Sequence, residues 1–227
     1  MTDRIFSVAI DGPAGAGKST VARRAAEKLG ICYVDTGAIY RTVAFAVLRS
    51  GVDCADEAQV ESLLSGLRIR LQWSADGVQH MLLNEEDVSA YIRAPEVSQL
   101  ASRISALPSV RRFLLETQRD VARTNSVIMD GRDIGTVVLP HADVKIYLSA
   151  SAEARATRRW AELREKGLDQ RYEDVLRELL ERDERDMNRK IAPLRRADDA
   201  VLLDTSALSP EDSVEAIMNI IREKVAI

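Results

Sequence analysis

A chain of 227 residues with 46% hydrophobic and 30% charged residues has room for one well-cored α/β unit with inserted segments and is short for two independent domains. Its formal net charge of -4 gives no general attraction for DNA, RNA or anionic lipid, and an aromatic content of 4% leaves no base-stacking platform for single strands, so a phosphate ligand must meet locally clustered arginines. No apolar run approaches the ~18 residues of a membrane span, residues 1–10 lack the apolar segment of a signal peptide, and Cys32 and Cys54 lack CxxC spacing, so two reduced thiols and a cytoplasmic location are expected.

Residues 5–10 (IFSVAI) form a short apolar run that ends in Asp11 and a glycine-rich stretch, followed by a helical pattern over residues 19–29. Similar runs at residues 32–34, 126–129, 144–148 and 200–203, each set between helical patterns, predict βαβ units and a buried parallel sheet of five strands. Residues 68–83 break this rhythm: IRLQW and VQHMLL flank Asp76-Gly77, a hairpin turn signal, which predicts an antiparallel insertion outside the core sheet. Residues 152–189 are helical, rich in arginine and broken near Gly167, the shape of a hinged helical lid. The predicted organisation is a core of residues 1–35, 107–153 and 172–227, an inserted substrate region at 36–106, and a lid at 154–171.

Residues 12–19 read GPAGAGKS and match GxxxxGK[ST] directly after a predicted strand and before a predicted helix. In such a P-loop, glycines let backbone N–H groups turn toward phosphate oxygens, and the helix N-terminus adds partial positive charge. Gly12, Pro13, Ala14, Gly15, Ala16, Gly17, Lys18, Ser19 and Thr20 are therefore the expected ATP cradle, with Lys18 on the β- and γ-phosphates and the Ser19 hydroxyl on Mg²⁺. Asp130 and Asp11, both at strand ends, are alternatives for the rest of the metal shell. No guanine-reading NKxD motif is present, which turns the reading from GTPase to kinase and asks for a second, acceptor site.

Arg41 and Arg132 each offer a planar fork suited to bidentate phosphate binding, Arg132 at a strand's C-terminal end. A helical period places Arg182, Arg185, Asp186 and Arg189 along one stripe, where three like charges call for a polyphosphate partner. The stretches DGPAGAGKST (11–20), DTGAIYR (35–41), EDVS (86–89), IR (92–93), DGRDIGTVV (130–138) and ERDERDMNR (181–189) together resemble the cytidylate kinases of bacteria across nearly the whole chain.

The resemblance implies a P-loop kinase fold with an enlarged monophosphate-binding region, transfer of phosphate from ATP with Mg²⁺ to CMP and dCMP, and a monomer with no nucleic-acid or membrane partner. It implies Ser102, Arg111 and Asp133 as the cytosine-reading set, Thr36 and Arg41 in the monophosphate site, Asp186 facing the ribose hydroxyls, Arg182 and Arg189 facing phosphate, and Arg158 as a lid arginine for ATP. The chemistry of cytosine agrees: its N3 and O2 need donors and its amino group an acceptor, which an Arg–Asp pair supplies. Lys18, Arg132, Arg182 and Arg189 are then the groups that stabilise charge in transit, and no general base is assigned, because the acceptor phosphate is already an anion. A kinase for UMP, AMP or shikimate and a regulatory module that uses ATP only as a signal are the alternatives.

Overall fold

A computed structural model describes residues 4–225; residues 1–3 and 226–227, which fall in the predicted core, lie outside the described residues. Five strands, β1 (Ser7–Asp11), β2 (Cys32–Asp35), β6 (Val127–Gly131), β7 (Val144–Ser149) and β8 (Val201–Asp204), form one sheet in the order β2-β6-β1-β7-β8. Every neighbouring pair is parallel, as the short apolar runs predict. Four of these strands run past their apolar stretch into a carboxylate, Asp11, Asp35, Asp130 or Asp204, which the parallel sheet delivers to one edge.

Alternation along the strands divides the core into two faces. Val8, Ile10, Ile128, Ile146 and Leu148 pack on one side against α1 (Lys18–Leu29) and α8 (Pro210–Val225). On the other side Ala9, Val34, Val127 and Met129 pack against α2 (Thr36–Ser50) and α5 (Pro108–Thr124). Both faces are covered by helices, which is why the strands read as nearly continuous apolar runs.

The predicted hairpin is present as β3 (Ile69–Trp73) and β4 (Gln79–Leu83), joined by a turn in which Gly77 takes a φ of 77°. A two-residue strand, β5 (Glu86–Asp87), adds to it and makes a separate antiparallel sheet of three strands. This sheet is not cut off from the core: Val60 of α3 (Glu57–Leu64), Met81 of β4 and Leu100 of α4 (Pro95–Ile104) belong to the same apolar cluster as Val34 and Met129. The charge-rich segment forms α6 (Ala152–Glu165) and α7 (Tyr172–Asn188), separated at Gly167, whose φ is 72°. Ala156, Leu163, Val175 and Leu179 close a small core between the two helices, and Ala14 of the glycine-rich loop inserts into it. No described helix is long and apolar enough to cross a membrane.

Candidate active site

A cleft of about 630 Å³ lies along the C-terminal ends of the strands, where open α/β sheets bind their ligands. Its floor begins with the glycine-rich loop. A Cβ on Gly12 would fall 2.0 Å from the Leu148 carbonyl oxygen, so the chain can leave β1 this close to β7 only as glycine. Ala14, Gly15, Ala16, Gly17, Lys18, Ser19 and Thr20 line the cleft, whereas Gly12 and Pro13, expected in the same cradle, do not. Lys18 is 5% exposed and donates from Nζ to the Pro13 carbonyl at 2.6 Å. Burial, followed by the nearby Arg132 charge, holds its ammonium well below the usual lysine range.

The Ala14 peptide is held from both sides. Its N–H donates to Asp183 Oδ1 at 3.1 Å, and its carbonyl accepts from Arg155 Nη1 at 2.9 Å. Arg155 and Asp183 are themselves a buried ion pair, so α6 and α7 are both rooted on the loop. On the far side of the loop, Asp130 accepts from Ser19 Oγ at 2.9 Å and from Tyr33 Oη at 2.8 Å. Burial, then the Asp35 charge, pushes the Asp130 carboxyl up to about 6. Asp11 faces elsewhere: its two oxygens accept the backbone N–H groups of Ile134 and Gly135, each at 2.7 Å. Among the described residues there is no cluster of three His, Cys, Asp or Glu side chains fit to hold a metal alone. The Ser19 hydroxyl and the Asp130 carboxylate supply the hard oxygen donors that suit a magnesium ion bound mainly through phosphates.

The other half of the cleft is a set of arginines brought in by four elements. Arg41 on α2 pairs with Asp35 at 2.8 Å, and Asp35 also caps that helix by accepting from the Ala38 N–H at 2.9 Å. Arg111 on α5 donates to Asp133, to Tyr40 Oη at 3.1 Å and to the Ser105 carbonyl at 3.2 Å. Arg189 Nη2 meets the second Asp133 oxygen at 3.0 Å. Arg132, in the turn after β6, donates from Nε to Asp186 at 2.8 Å. Burial raises the Asp186 carboxyl, but Arg132 and Arg182 outweigh that and bring it below the usual range.

Among the described residues Arg182 has no such carboxylate, and burial and then Arg132 lower its guanidinium to about 10. Among the described residues, Arg41 Nε, Ser102 Oγ and Arg182 Nε are buried without any hydrogen-bond partner, and all three residues line the cleft. Buried polar atoms are normally paired, so these mark where a ligand's acceptors fit.

Thr36, Arg41, Ser102, Arg111, Arg132, Asp133, Arg158, Arg182, Asp186 and Arg189, predicted from distant parts of the sequence, thus line one cavity. Thr36 Oγ1 donates to the Asp130 carbonyl at 2.7 Å, which ties α2 to β6, and Arg158 donates to the Thr205 carbonyl. The single stripe expected on α7 needs correction. The helix ends at Asn188, and Arg189 has an extended ψ of 140° that turns it toward Asp133, while Arg185 is exposed and donates to its own helix at the Glu181 carbonyl. Tyr40, Asp35, Arg155 and Asp183 escaped the sequence reading. The first two stand inside DTGAIYR and could have been drawn from it; the last two are hidden among the many charges of residues 152–189.

A sequence model of the family described as cytidylate kinase matches residues 8–223. The chain belongs to the cytidylate kinase family. It is 51% identical over 217 residues to a cytidylate kinase of Carboxydothermus hydrogenoformans, covering 96% of this chain and 97% of that one. It is 47% identical over 224 residues to the cytidylate kinase of Lactiplantibacillus plantarum, covering 99% and 98%. A crystal structure of a gluconokinase from Sinorhizobium meliloti 1021 superposes with a TM-score of 0.50 at 14% identity, covering 98% of this chain and 97% of that one, a likeness of fold. The chain is therefore a phosphotransferase of the nucleoside monophosphate kinase class built on a P-loop kinase fold.

Proposed function

We propose that this cytidylate kinase transfers the γ-phosphate of ATP to the 5′-phosphate of CMP and dCMP. The observation that carries the reading is the concentration of unspent positive charge: Lys18 and Arg182 are both depressed by burial beside Arg132, and Arg182 Nε has no partner. Three cations crowded into one cleft repel one another until a polyanion lies between them. ATP and a nucleoside monophosphate together supply that polyanion.

In this reading residues 12–20 cradle the ATP phosphates, with Arg158 above them near Thr205. Ser19 and Asp130 would hold Mg²⁺, and Asp11, committed to two backbone N–H groups, would not. The ion's contribution is to neutralise phosphate charge. Arg41 and Arg132 take the acceptor's phosphate, and Ser102, Arg111 and Asp133 read the cytosine edge. Thr36 supports the acceptor site, and Asp186 meets the ribose. An acceptor oxygen attacks the γ-phosphorus as the bond to the bridging oxygen of ADP breaks, and Lys18, Arg132, Arg182 and Arg189 stabilise the charge that moves. No protein base takes part, since the attacking oxygen carries no proton that must leave. Closure of residues 154–171 over the phosphates would exclude water. The reading also has the enzyme working as a monomer in the cytoplasm.

An acceptor panel of CMP, dCMP, UMP, AMP and shikimate, with ATP and Mg²⁺ and ADP release as the readout, tests it. Turnover with CMP and dCMP well above the other three is expected. Equal turnover across the nucleotides would remove the base-reading assignment, and ADP release without any acceptor dependence would remove the kinase.

A further inference from the structure

Asp11 is buried at 4% exposure, ends the central strand, and stands immediately before Gly12. Its neighbour across the β1–β6 ladder is Gly131, so the chain of β6 leaves the sheet level with it. The next two residues are Arg132 and Asp133, and the two after those, Ile134 and Gly135, send their N–H groups back to the Asp11 oxygens. Residues 132–135 are thus pinned at one end by the sheet and at the other by this carboxylate. Gly135 is closely packed as well: a Cβ there would lie 3.1 Å from Lys145 and 3.4 Å from Asp11 Oδ2. Beyond it the backbone makes one wide turn, with the Leu139 N–H on the Ile134 carbonyl at 2.7 Å, a form that recurs at functional sites.

The structure assigns Asp11 as a positioning residue that fixes the direction of Arg132 and Asp133 and so registers the acceptor half of the cleft on the ATP half. Only a carboxylate does this well. An amide would accept one of the two N–H groups and present its own N–H to the other, leaving a buried donor unpaired. Burial outweighs the two backbone donors and leaves the Asp11 carboxyl raised to about 6. The groups that hold this buried carboxylate in place are the two amides of the turn. Asp130, one strand away, differs in that its partners are hydroxyls, which can turn to serve an amide or a metal-bound oxygen.

The inference rests on the reading of Asp133 as a cytosine contact, so Asp11→Asn is compared with Asp133→Ala. The readouts are kcat/KM for CMP and UMP, the KM for ATP, and the Mg²⁺ concentration giving half-maximal rate. Asp11→Asn is expected to lower kcat/KM for CMP about tenfold or more and to narrow the CMP-over-UMP ratio as Asp133→Ala does, with the Mg²⁺ midpoint changed by less than about twofold. A raised Mg²⁺ midpoint with an unaltered CMP-over-UMP ratio would make Asp11 a metal ligand and overturn the assignment. If Asp133→Ala itself left the ratio unchanged, base reading would fail. Asp11 would then be judged by whether its CMP efficiency falls with ATP and Mg²⁺ parameters intact.

Should Asp11→Asn not fold, Asp11→Glu keeps both acceptors while displacing the turn, and an unchanged ratio in that variant overturns the inference. In the wild-type protein the Ile134 and Gly135 amide protons should exchange slowly with solvent. Fast exchange at both would overturn it without any variant.

Discussion

The two halves of the cleft hold their charge in opposite ways. The ATP half is built on one contiguous loop whose lysine, Lys18, is folded back on the Pro13 carbonyl, while Arg158 nearby is held on the Thr205 carbonyl. In the acceptor half Arg41, Arg111, Arg132 and Arg189 come from separate elements and already hold carboxylates, Asp35, Asp133, Asp186 and Asp133 again. A phosphate in the first half would meet backbone N–H groups and a helix N-terminus. A ligand in the second exchanges or extends existing ion pairs, so each contact it gains there replaces or joins one already made.

The comparison breaks most visibly at Lys18. Lys18→Ala should lower turnover by about 10²–10³-fold, because the ammonium follows charge that moves in the transition state. Its circular dichroism spectrum should match wild type, since removing a buried cation beside Arg132 relieves repulsion. A folded variant with near-normal turnover would take the catalytic weight away from the ATP half.

Next comes the acceptor half. Arg111→Met should lower kcat/KM for CMP about tenfold or more, by loss of a charge-assisted hydrogen bond worth ~1.5–3 kcal/mol and by stranding one oxygen of Asp133. The KM for ATP should hardly change. In the variant Arg189 is the remaining cation on Asp133. An equal loss toward ATP and CMP would mean that the two halves are not separable.

Asp130 sharpens the comparison through stability. Its folded carboxyl is raised from 3.8 to about 6, so it favours the protonated folded state. The stability it contributes is complete below pH ~4 and is lost as pH rises through ~6. Asp130→Asn keeps the uncharged form at all pH values, and Ser19 and Tyr33 can reorient their hydroxyls toward the amide. At neutral pH the variant should therefore melt a few degrees higher, corresponding to ~1–3 kcal/mol. The gain should vanish toward pH ~4, and activity should fall at limiting Mg²⁺. A variant less stable than wild type at both pH values would show that Asp130 is a structural anchor.

The smallest effect concerns residues 154–171. Arg155 fixes the start of α6 to the Ala14 carbonyl and to Asp183, so a bisubstrate analogue should slow hydrogen exchange mainly around Gly167 and little near Arg155. Uniform slowing along the whole segment would show that the root of the helix pair moves with its tip.

The sequence by itself determined what depends on neighbours in the chain. GPAGAGKS between a strand and a helix specifies a phosphate cradle because backbone dihedrals and a helix N-terminus are local properties, and Asp76-Gly77 specifies a hairpin for the same reason. The many arginines announced an anion. Which carboxylate each arginine would face was decided by tertiary structure: Asp133 meets Arg111 and Arg189 rather than its neighbour Arg132, which pairs with Asp186. Helical periodicity placed Arg189 in line with Arg185, but the chain leaves the helix at Asn188 and only packing says where it goes.

Asp11 and Asp130 were equivalent as strand-end aspartates. The register of β1 against β6 separated them, aiming one at two backbone amides and the other at two hydroxyls. A hydrogen-bond partner far along the chain is fixed by sheet register and helix packing, and neither is a property of the residues beside it.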